Sequence, residues 1–436
     1  MKYFSLHKEA PMVSFREAVI RGLAPDRGLY FPESITPLPN EFIAGLSNLS
    51  DAEIAFTVIE QFVAGEIPKE DLERIVQEVL SFDFPLIEVE PNIYSLELFH
   101  GPTLAFKDVG ARFMARCLGY FNSQEETSEK VTVLVATSGD TGGAVANGFY
   151  EVDGVEVVIL YPSGKVSEIQ EKQLTTLGKN IRALEVEGSF DDCQAMVKKA
   201  FLDEDFDGKV NLTSANSINV ARWLPQMFYY FSAYKKLQSQ AKPIVFSVPS
   251  GNFGNICAGM MAQKIGLPVH HFITGTNAND VVPNYLKTGS FETQDTVPTI
   301  SNAMDVAAPS NFIRIEELHD HRLDTLRANL SGYSYTDDET RATMNELFEN
   351  FGYIADPHGA IGYSALKEYK KDSGFEGIGV FLETAHPVKF LDVIPKDISE
   401  KIVLPKAIEE ILPKKKVARK IATYSELKDN LLGHGS

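Results

Sequence analysis

The chain has 436 residues, long enough to bury a large core and to form two or three domains. Hydrophobic residues make up 44% of it and charged residues 23%, a composition typical of a soluble globular protein. The formal net charge of -19 argues against nucleic acids and anionic membranes as partners, because both are polyanions. The predicted ligand is therefore a small molecule.

Cysteine usage and the N-terminal sequence predict a cytoplasmic protein. Cys117, Cys193 and Cys257 are too few and too scattered for a disulfide framework, and none lies in a C-x-x-C pair. Such usage fits a reducing compartment. The first residues, MKYFSLHKEAPMVSF, contain no basic stretch followed by an apolar one, and no apolar run approaches the length of a membrane span.

The N-terminal part, residues 1–95, is predicted to form a small, mostly helical domain. In residues 68–80 (PKEDLERIVQEVL) the apolar positions recur at helical spacing, and Pro68 suits the first position of a helix. Residues 51–65 (DAEIAFTVIEQFVAG) predict a second helix, which Gly65 closes.

From about Leu96 the pattern changes to short apolar runs, each followed by a loop and a helical stretch. Continuous apolar strands that alternate with helices indicate a parallel sheet covered on both faces, so the predicted fold class is α/β. Thr336 with Glu339 predicts a helical capping box, and Gly352 the end of that helix. The predicted strands are 131–136, 155–161, 244–248, 271–274 and 378–382.

Two glycine-rich loops follow predicted strands, at residues 137–149 (TSGDTGGAVANGF) and 250–260 (SGNFGNICAGM). A strand, loop and helix in this order present unpaired backbone N–H groups at a helix N-terminus, where glycine permits close approach of an anion. Each loop taken alone could equally be a tight turn without a ligand. Neither matches the Walker A pattern or the G-x-G-x-x-G pattern, which disfavours mononucleotides and NAD.

Three further segments carry polar residues suited to ligand binding. Residues 214–222 (SANSINVAR) combine amides, hydroxyls and a guanidinium, groups that bind a carboxylate or phosphate, although they could also simply cap a helix. In residues 383–390 (ETAHPVKF), Thr384 and His386 follow a strand, where open α/β folds bind ligands. Lys107, within HGPTLAFKDVGARF, would by itself be interpreted as a solvated surface charge.

The chain carries a set of motifs that runs in one order from 27-RGLYFP-32 to about Phe390, nearly its whole length. They are H-G-P-T-L-A-F-K-D, A-T-S-G-D-T-G-G-A, Y-P-S-G-K-V-S-x-x-Q-E-K-Q, S-A-N-S-I-N-V-A-R, S-V-P-S-G-N-F-G-N, S-N-A-M-D-V and E-T-A-H-P-V-K-F. This set closely resembles the threonine synthase family, in its bacterial and fungal branch with an extra N-terminal domain. The branch belongs to the pyridoxal-phosphate enzymes of fold type II, which include the tryptophan synthase β subunit.

The resemblance implies an architecture and a cofactor. Two open, mainly parallel α/β lobes would stand beside the N-terminal domain, with pyridoxal 5'-phosphate as the cofactor and no metal. The catalytic region would span residues 96–436. Its smaller lobe would lie at about 130–220, and its larger lobe would combine about 96–129 with 221–436.

The resemblance also implies which residues bind the cofactor. Lys107 matches the lysine that forms a Schiff base with pyridoxal phosphate, and an apolar pocket would supply the neutral amine that an imine needs. Thr384 matches the hydroxyl residue that hydrogen-bonds the pyridine nitrogen and leaves it uncharged. The residues that match the cradle for the cofactor phosphate are Ser250, Gly251, Asn252, Phe253, Gly254 and Asn255.

Asp140 stands where many relatives of the fold type have an asparagine that contacts the phenolic oxygen of the cofactor. A carboxylate would repel a phenolate unless one of the two carries a proton, so a contact between Asp140 and the cofactor stays open. Lys165 is a candidate anion contact. The residues that match the family's contacts to the substrate carboxylate and phosphate are Thr137, Ser138, Thr141, Asn216 and Arg222.

The implied reaction converts O-phospho-L-homoserine and water to L-threonine and phosphate, with Lys107 as the catalytic residue that moves the protons. Three alternatives stay open: a phospho-lyase that yields 2-oxobutyrate from the same substrate, a serine or threonine dehydratase, and a non-catalytic pyridoxal-phosphate-binding protein. Thr141, Asn216 and Arg222 argue against a plain dehydratase, which has no substrate phosphate to bind. The expected partner is the small-molecule substrate, and the chain is expected to be a monomer or a homodimer.

Overall fold

The computed structural model describes residues 1–124 and 130–433. In chain order the strands are β1 (Tyr3–Ser5), β2 (Tyr30–Pro32), β3 (Leu86–Glu90), β4 (Ile93–Glu97), β5 (Val131–Ala136), β6 (Val155–Pro162), β7 (Ile181–Val186), β8 (Asn211–Ser214), β9 (Ile244–Pro249), β10 (His271–Thr276), β11 (Leu330–Ser334), β12 (Ile378–Glu383) and β13 (Arg419–Ile421).

The α-helices are α1 (Phe15–Arg21), α2 (Asn40–Ala44), α3 (Asp51–Val63), α4 (Lys69–Val79), α5 (Lys107–Ser123), α6 (Asp140–Gly148), α7 (Glu168–Thr175), α8 (Phe190–Ala200), α9 (Val220–Trp223), α10 (Met227–Leu237), α11 (Gly254–Lys264), α12 (Val281–Thr288), α13 (Phe312–Leu318), α14 (Leu323–Asn329), α15 (Asp337–Phe351), α16 (Pro357–Ser373), α17 (Lys396–Ser399), α18 (Lys406–Ile411) and α19 (Tyr424–Leu431). Short 3-10 helices lie at Leu46–Asn48, Glu204–Phe206, Leu224–Gln226, Gln238–Gln240, Asn302–Met304 and Pro387–Phe390.

Most of these strands belong to two sheets. The larger sheet has the order β11-β10-β9-β12-β4-β3, and within it only β3 runs antiparallel to its neighbour. The smaller sheet has the order β13-β7-β6-β5-β8, and all its pairs are parallel. The predicted α/β class with mainly parallel lobes is confirmed. The strands β1 and β2 form a separate antiparallel pair.

The strands predicted from continuous apolar runs are confirmed as β5, β6, β9, β10 and β12. Every residue of β5, β9, β10 and β12 is buried, as expected where helices cover both faces of a parallel sheet. The strand β5 has the predicted limits, and the other four run one or two residues beyond them.

Both helices predicted in the N-terminal part are confirmed as α3 and α4, with small differences at their ends. The side chains of Ser50 and Glu53 form a capping box at the start of α3. That helix ends before Ala64, which adopts φ 54° and serves as its C-cap in place of the predicted Gly65. Pro68 is the N-cap residue of α4 rather than its first helical residue.

The last part of the chain returns to the smaller sheet. The helix α15 begins at the capping box of Thr336 and Glu339 and ends before Gly352, as predicted. Farther along, β13 pairs with β7, although the sequence assigned residues 221–436 to the larger lobe. The predicted domain limits at residues 95 and 129 stay predictions, and residue 129 lies outside the described residues.

The helix α5, which begins at Lys107, packs against α4, α6 and α9. It therefore connects the N-terminal helices, the smaller sheet and the segment SANSINVAR. Its buried face includes Val109, Phe113, Met114 and Leu118. Along the described parts of the chain, no helix combines the length and the apolarity that crossing a bilayer requires.

Candidate active site

Four of the predicted site segments lie where parallel strands end. Residues 137–141 follow β5, and residues 214–222 begin at the end of β8, its neighbour in the smaller sheet. Residues 250–255 follow β9, and residues 384–390 follow β12, its neighbour in the larger sheet. Each pair of segments therefore meets at the carboxyl edge of one sheet, where ligands bind in open α/β folds.

A tightly held turn places Lys107 at the start of α5. The fully buried Asp108 accepts hydrogen bonds from the backbone N–H and the hydroxyl of Thr103, at 2.9 and 2.6 Å. Gly101 leaves no room for a side chain, since a Cβ there would lie 2.5 Å from Oδ2 of Asp108. Leu104 adopts φ 57°, a left-handed conformation that costs about 1 kcal/mol or more. Such strain persists only where the surrounding contacts impose it.

This turn is joined to the segment that follows β12. The N–H of Phe106 donates to the carbonyl of Thr384 at 2.9 Å, and the N–H of His386 donates to the carbonyl of Leu104 at 3.1 Å. Thr384 is buried, and its hydroxyl forms no hydrogen bond with another described residue. The segments that carry Lys107 and Thr384 are thus held side by side by backbone hydrogen bonds.

Lys107 is an enclosed amine. Its side chain is 16% exposed, and its Nζ lies 5.6 Å from the centre of the Phe106 ring and 4.0 Å from Oδ2 of Asp140. Burial lowers the pKa of Lys107 below its usual value; the charge of Asp140 opposes this change, and the charges of Lys389 and Arg222 add to it. A larger fraction of Lys107 is therefore neutral, as a nucleophile or a general base must be.

Asp140, the first residue of α6, is the anion beside Lys107. Its Oδ1 lies 2.9 Å from Nζ of Lys389 and accepts a hydrogen bond of 3.0 Å from Nε2 of Gln170. Burial opposes ionisation, but the charges of Lys389 and Lys107 outweigh it and hold the pKa of Asp140 well below its usual value. Of the two states that the sequence left open, Asp140 is therefore the ionised one.

The loop after β9 forms a cradle of backbone N–H groups at the start of α11. None of the N–H groups of residues 251–255 donates to the backbone of another described residue. Asn252 braces the loop, since its Nδ2 donates to Oγ of Ser217 at 2.9 Å and its Oδ1 accepts from the N–H of Ser310 at 2.6 Å. Phe253 adopts φ 60° and turns the loop into the helix. Free donors at the N-terminus of an 11-residue helix suit a phosphate.

Both ends of the cradle are fixed by buried polar side chains. Oγ of Ser250 donates to the carbonyl of Val248, and Nδ2 of Asn255 donates to the carbonyl of Pro249, each at 2.9 Å. A Cβ on Gly251 would lie 2.7 Å from Cα of Met304, so the S-N-A-M-D-V segment packs directly against the loop.

The loop after β5 places two free hydroxyls beside Asp140. Oγ1 of Thr137 is used within the loop, because it accepts hydrogen bonds from the N–H groups of Gly139 and Gly142 at 2.9 and 2.8 Å. Ser138 and Thr141 are partly exposed, and their hydroxyls form no hydrogen bond with another described residue. Thr137 therefore shapes the loop, while Ser138 and Thr141 can still bind a ligand.

Arg222 is a buried cation that lacks an anionic partner among the described residues. Its guanidinium donates to the carbonyl of Ala215, and its Nε has no hydrogen-bond partner. Burial lowers its pKa to about 10, so it remains charged at neutral pH. Nearby, Nδ2 of Asn216 donates to the carbonyl of Ala136 at the end of β5, at 3.3 Å. An anion that entered this site would meet a guanidinium that forms no ion pair with another described residue, and could bind it.

Lys165 differs from the other predicted site residues. Its side chain is exposed in the turn between β6 and α7, and no ion pair joins it to another residue in the described ranges. The structure therefore gives it no link to the enclosed site, and its role as an anion contact stays a prediction.

Three site residues were not predicted from the sequence. Lys389 is fully buried, and its Nζ donates to the carbonyl of Thr103 at 2.6 Å and pairs with Asp140. On α7, Gln170 donates to Asp140, and Gln173 donates to the same Thr103 carbonyl at 3.0 Å. Lys389 had a detectable signal, because it is a lone cation in a short apolar segment that follows a buried strand.

Known sequence families match the chain along its length. Those described as "Threonine synthase N terminus", "Pyridoxal-phosphate dependent enzyme" and "Threonine synthase, C-terminal" match residues 2–80, 84–382 and 359–429. A threonine synthase of Buchnera aphidicola subsp. Acyrthosiphon pisum is 43% identical over 435 residues, which cover 99% of this chain and 100% of that one. The chain belongs to the threonine synthase family. It is accordingly a pyridoxal-phosphate-dependent lyase.

Solved structures of threonine synthases share the whole fold. The crystal structure of threonine synthase from Escherichia coli superposes with a TM-score of 0.92 at 41% identity and covers 100% of both chains. A pyridoxal-phosphate-bound threonine synthase from Brucella melitensis superposes with a TM-score of 0.92 at 36% identity and covers 100% of this chain and 99% of that one. The cofactor of this threonine synthase family member is pyridoxal phosphate.

The described residues fit this cofactor. The N–H groups of residues 251–255 have no backbone acceptor, so they can receive its phosphate. The Thr384 hydroxyl, also unpaired among the described residues, can form a hydrogen bond with the ring nitrogen of the cofactor. Lys107 supplies an amine of lowered pKa. Arg222, whose Nε also has no partner, is left for a second anion.

Proposed function

We propose that the chain converts O-phospho-L-homoserine and water to L-threonine and phosphate. The observation that carries the proposal is that the chain has two anion-binding features in addition to the buried amine of Lys107. These are the free N–H groups of residues 251–255 and the guanidinium of Arg222, whose Nε has no hydrogen-bond partner among the described residues. The first suits the phosphate of the cofactor, and the second leaves a place for the phosphate of the substrate. The names of the relatives support the same reaction.

The substrate is anionic at both ends, and the proposed contacts match it. Arg222 would bind the phosphate with help from the amide of Asn216, because a guanidinium forms strong, charge-assisted hydrogen bonds with phosphate oxygens. The hydroxyls of Ser138 and Thr141 would complete the contacts to the substrate carboxylate and phosphate. These contacts orient the substrate so that its α-carbon reaches Lys107.

Lys107 would perform the proton transfers. When bound, pyridoxal phosphate supplies the electron sink that stabilises negative charge on the α-carbon of the substrate. Nζ of Lys107 takes the proton from that carbon, passes it on, and then takes a proton from the β-carbon, because its lowered pKa keeps it a competent base at neutral pH. The bond between the γ-carbon and the phosphate oxygen breaks, and the oxygen of water bonds to the β-carbon. The two protons taken from carbon are replaced by one at the γ-carbon, which becomes the methyl group, and one at the α-carbon, while the proton released by water leaves with the phosphate.

Product analysis tests the proposal. The purified protein is incubated with O-phospho-L-homoserine, and phosphate, threonine and 2-oxobutyrate are quantified together. We expect phosphate and threonine in equal amounts, abolished in Lys107→Ala and kept in Lys401→Ala, which alters an exposed lysine. Phosphate with 2-oxobutyrate would establish a phospho-lyase instead, and the absence of phosphate from cofactor-loaded protein would refute the substrate assignment.

Compartment and assembly stay predictions: the cytoplasm, and a monomer or homodimer. Cys117, Cys193 and Cys257 are buried thiols without disulfide bonds, which supports a reducing compartment. Burial raises the pKa of Cys193 and Cys257 to about 12, so neither is a reactive thiolate.

A further inference from the structure

Two buried lysines face the carboxylate of Asp140, each at a different oxygen. Nζ of Lys389 lies 2.9 Å from Oδ1 of Asp140, and Nζ of Lys107 lies 4.0 Å from Oδ2. The side chain of Lys389 has no exposed surface, and that of Asp140 is 4% exposed. At such burial, the carboxylate of Asp140 by itself would strongly favour the ammonium form of Lys107. The charge of Lys389 on the other oxygen therefore changes how strongly Asp140 favours that form.

Lys389 is held in this position from its other side. Its Nζ donates to the carbonyl of Thr103 at 2.6 Å, in the turn that precedes Lys107. Gln173 donates to the same carbonyl at 3.0 Å, which fixes the acceptor. Asp108 also faces Lys389, but burial raises the pKa of Asp108, which weakens it as a competing anion. Asp140 is therefore the principal counter-charge of Lys389.

The charged groups that face Lys107 come from four elements. Asp140 on α6 and Asp356 before α16 favour its ammonium form, whereas Lys389 in the 3-10 helix Pro387–Phe390 and Arg222 on α9 disfavour it. Of the two cations, Lys389 is the one that forms an ion pair with Asp140. Without the charge of Lys389, no paired cation would offset the effect of Asp140, which favours the ammonium form of Lys107.

We infer that Lys389 is a positioning residue for Lys107: it fixes Asp140 through Oδ1 and offsets the charge of that carboxylate, so that Lys107 can act as a neutral amine. The inference rests on the proposed function, in which Lys107 moves the protons. Lys389 itself touches no reacting atom in this account, because its donors are directed to Asp140 and to the carbonyl of Thr103.

The reactivity of Lys107 tests this inference without any substrate. The full-length protein, freed of cofactor, is treated with acetic anhydride at a series of pH values, and acetylation of Lys107 is followed by peptide mass spectrometry. Only the neutral amine reacts, so the profile reports the protonation of Lys107. In Lys389→Met we expect the profile to move to higher pH and the rate at pH 7 to fall roughly tenfold, because the charge of Asp140 then favours the ammonium form of Lys107. Lys401→Met, which removes an exposed lysine, should leave the profile in place.

A double variant separates charge from shape. Asp140→Asn combined with Lys389→Met removes both charges, and we expect Lys107 to return to within roughly threefold of its native rate at pH 7. Lys389→Arg, which keeps the charge, should also keep the native profile. A Lys389→Met profile that superimposes on the native one overturns the inference, as does a double variant that reacts as slowly as Lys389→Met.

Separate control experiments test whether each variant folds and whether the result depends on the proposed reaction. Circular dichroism and the fluorescence of Trp223, the only tryptophan in the chain, report whether each variant is folded. If Lys389→Met does not fold, the single variant Asp140→Asn tests the inference instead. With Lys389 in place, this variant should move the pH profile of Lys107 acetylation to lower pH. A profile that stays in place or moves to higher pH overturns the inference. Since acetylation needs no substrate, failure of the proposed reaction would leave this result intact and the two failures distinguishable.

Discussion

The backbone carbonyl of Arg222 occupies the space that a side chain on Gly110 would need. Gly110 lies in the first turn of α5, close after Lys107, and Arg222 lies in α9. The two helices therefore meet backbone to backbone, and this close approach sets the separation between the proposed base and the proposed ligand of the substrate phosphate.

Replacing Gly110 with alanine should push the two helices apart. We expect Gly110→Ala to destabilise the protein by about 1–3 kcal/mol through overpacking and to lower kcat/KM more than its stability explains. Gly119→Ala is the matched control in the same helix, since its Cβ would meet only the end of the Val152 side chain, at 3.1 Å. Thermal unfolding and steady-state kinetics of both variants provide the measurement. Equal effects in the two would show that the close approach at Gly110 has no special role.

Removing the charge of Arg222 should weaken catalysis without weakening the fold. Arg222→Met is expected to lower kcat/KM roughly 10- to 150-fold, the worth of a charge-assisted hydrogen bond, while cofactor binding stays nearly native. The midpoint of thermal unfolding should stay or rise, because the variant removes a buried charge that has no anionic partner among the described residues. An unchanged kcat/KM would remove Arg222 from the site.

Arg314 is the matched comparison for Arg222. It is also fully buried, but its guanidinium donates to the carbonyls of Tyr30 and Ile218 at 2.9 and 2.6 Å and to Oδ1 of Asn311 at 2.7 Å. Arg314→Met should therefore destabilise the protein by about 3 kcal/mol, since several buried acceptors would lose their donor. If the two arginine variants lose the same stability, Arg222 is as structural as Arg314.

The buried His271 should make stability depend on pH. Its Nε2 lies 2.9 Å from Oγ of Ser331, its ring stacks on Tyr369, and burial lowers its pKa to about 4. The unfolded chain takes up the proton near pH 6.5, so the contribution of His271 is full above about 6.5 and is lost as the pH falls to about 4. This loss is roughly 3 kcal/mol at most.

The midpoint of thermal unfolding between pH 7 and 4.5 measures this effect. His271→Gln should flatten the decline on acidification, because glutamine does not titrate. Asp305 acts in the opposite direction, since burial raises its pKa to about 6 and its ionisation costs stability as the pH rises. Asp305→Asn should therefore steepen the decline. Parallel curves for native protein and His271→Gln would contradict the assignment.

Glu383, next to Thr384, should destabilise the fold as the pH rises. Burial and the nearby Asp356 raise its pKa well above the usual value, and its Oε2 has no hydrogen-bond partner among the described residues. The unfolded chain releases this proton above about pH 4.3, while the folded chain retains it, so native stability falls with rising pH.

Glu383→Gln, which keeps shape and neutrality, should therefore gain stability relative to the native protein as the pH rises. Thermal unfolding of both proteins at pH 4.5 and pH 8 gives the comparison, with the exposed Glu376→Gln as the control. A difference between Glu383→Gln and native protein that stays constant over this range would mean that the carboxyl group titrates normally.

Much of the fold was predictable because its central strands are continuous apolar runs. Among the strands that were missed, β7 carries polar residues whose partners lie elsewhere. In β7, Arg182 pairs with Glu156 of β6 at 3.1 Å, and Glu185 pairs with Lys416 at 2.8 Å. These charges interrupt the apolar pattern and are satisfied only by tertiary contacts. The strand β13 is still shorter and mostly exposed, so nothing local marks it.

The site was predictable where loops follow buried strands and only partly elsewhere. The positions of Thr384 and residues 251–255 follow from strand ends and glycine placement, whereas Lys107 by itself would be interpreted as a surface charge and is singled out only by the family resemblance. The ionised state of Asp140 could not be predicted, because it depends on Lys389 and Gln170, which reach it from other segments. The hydroxyl oxygen of Thr137 accepts hydrogen bonds from two N–H groups of its own loop, and the residue type alone does not reveal this.

The most direct test of the proposed reaction is to run it in water labelled with oxygen-18 and to measure by mass spectrometry how many heavy oxygen atoms threonine and phosphate each contain. If the bond between the γ-carbon and oxygen breaks and water then bonds to the β-carbon, threonine carries one heavy oxygen and the released phosphate carries none. Heavy oxygen in the phosphate would instead show attack of water at phosphorus. That result would contradict the proposed roles of Lys107 and Arg222 together.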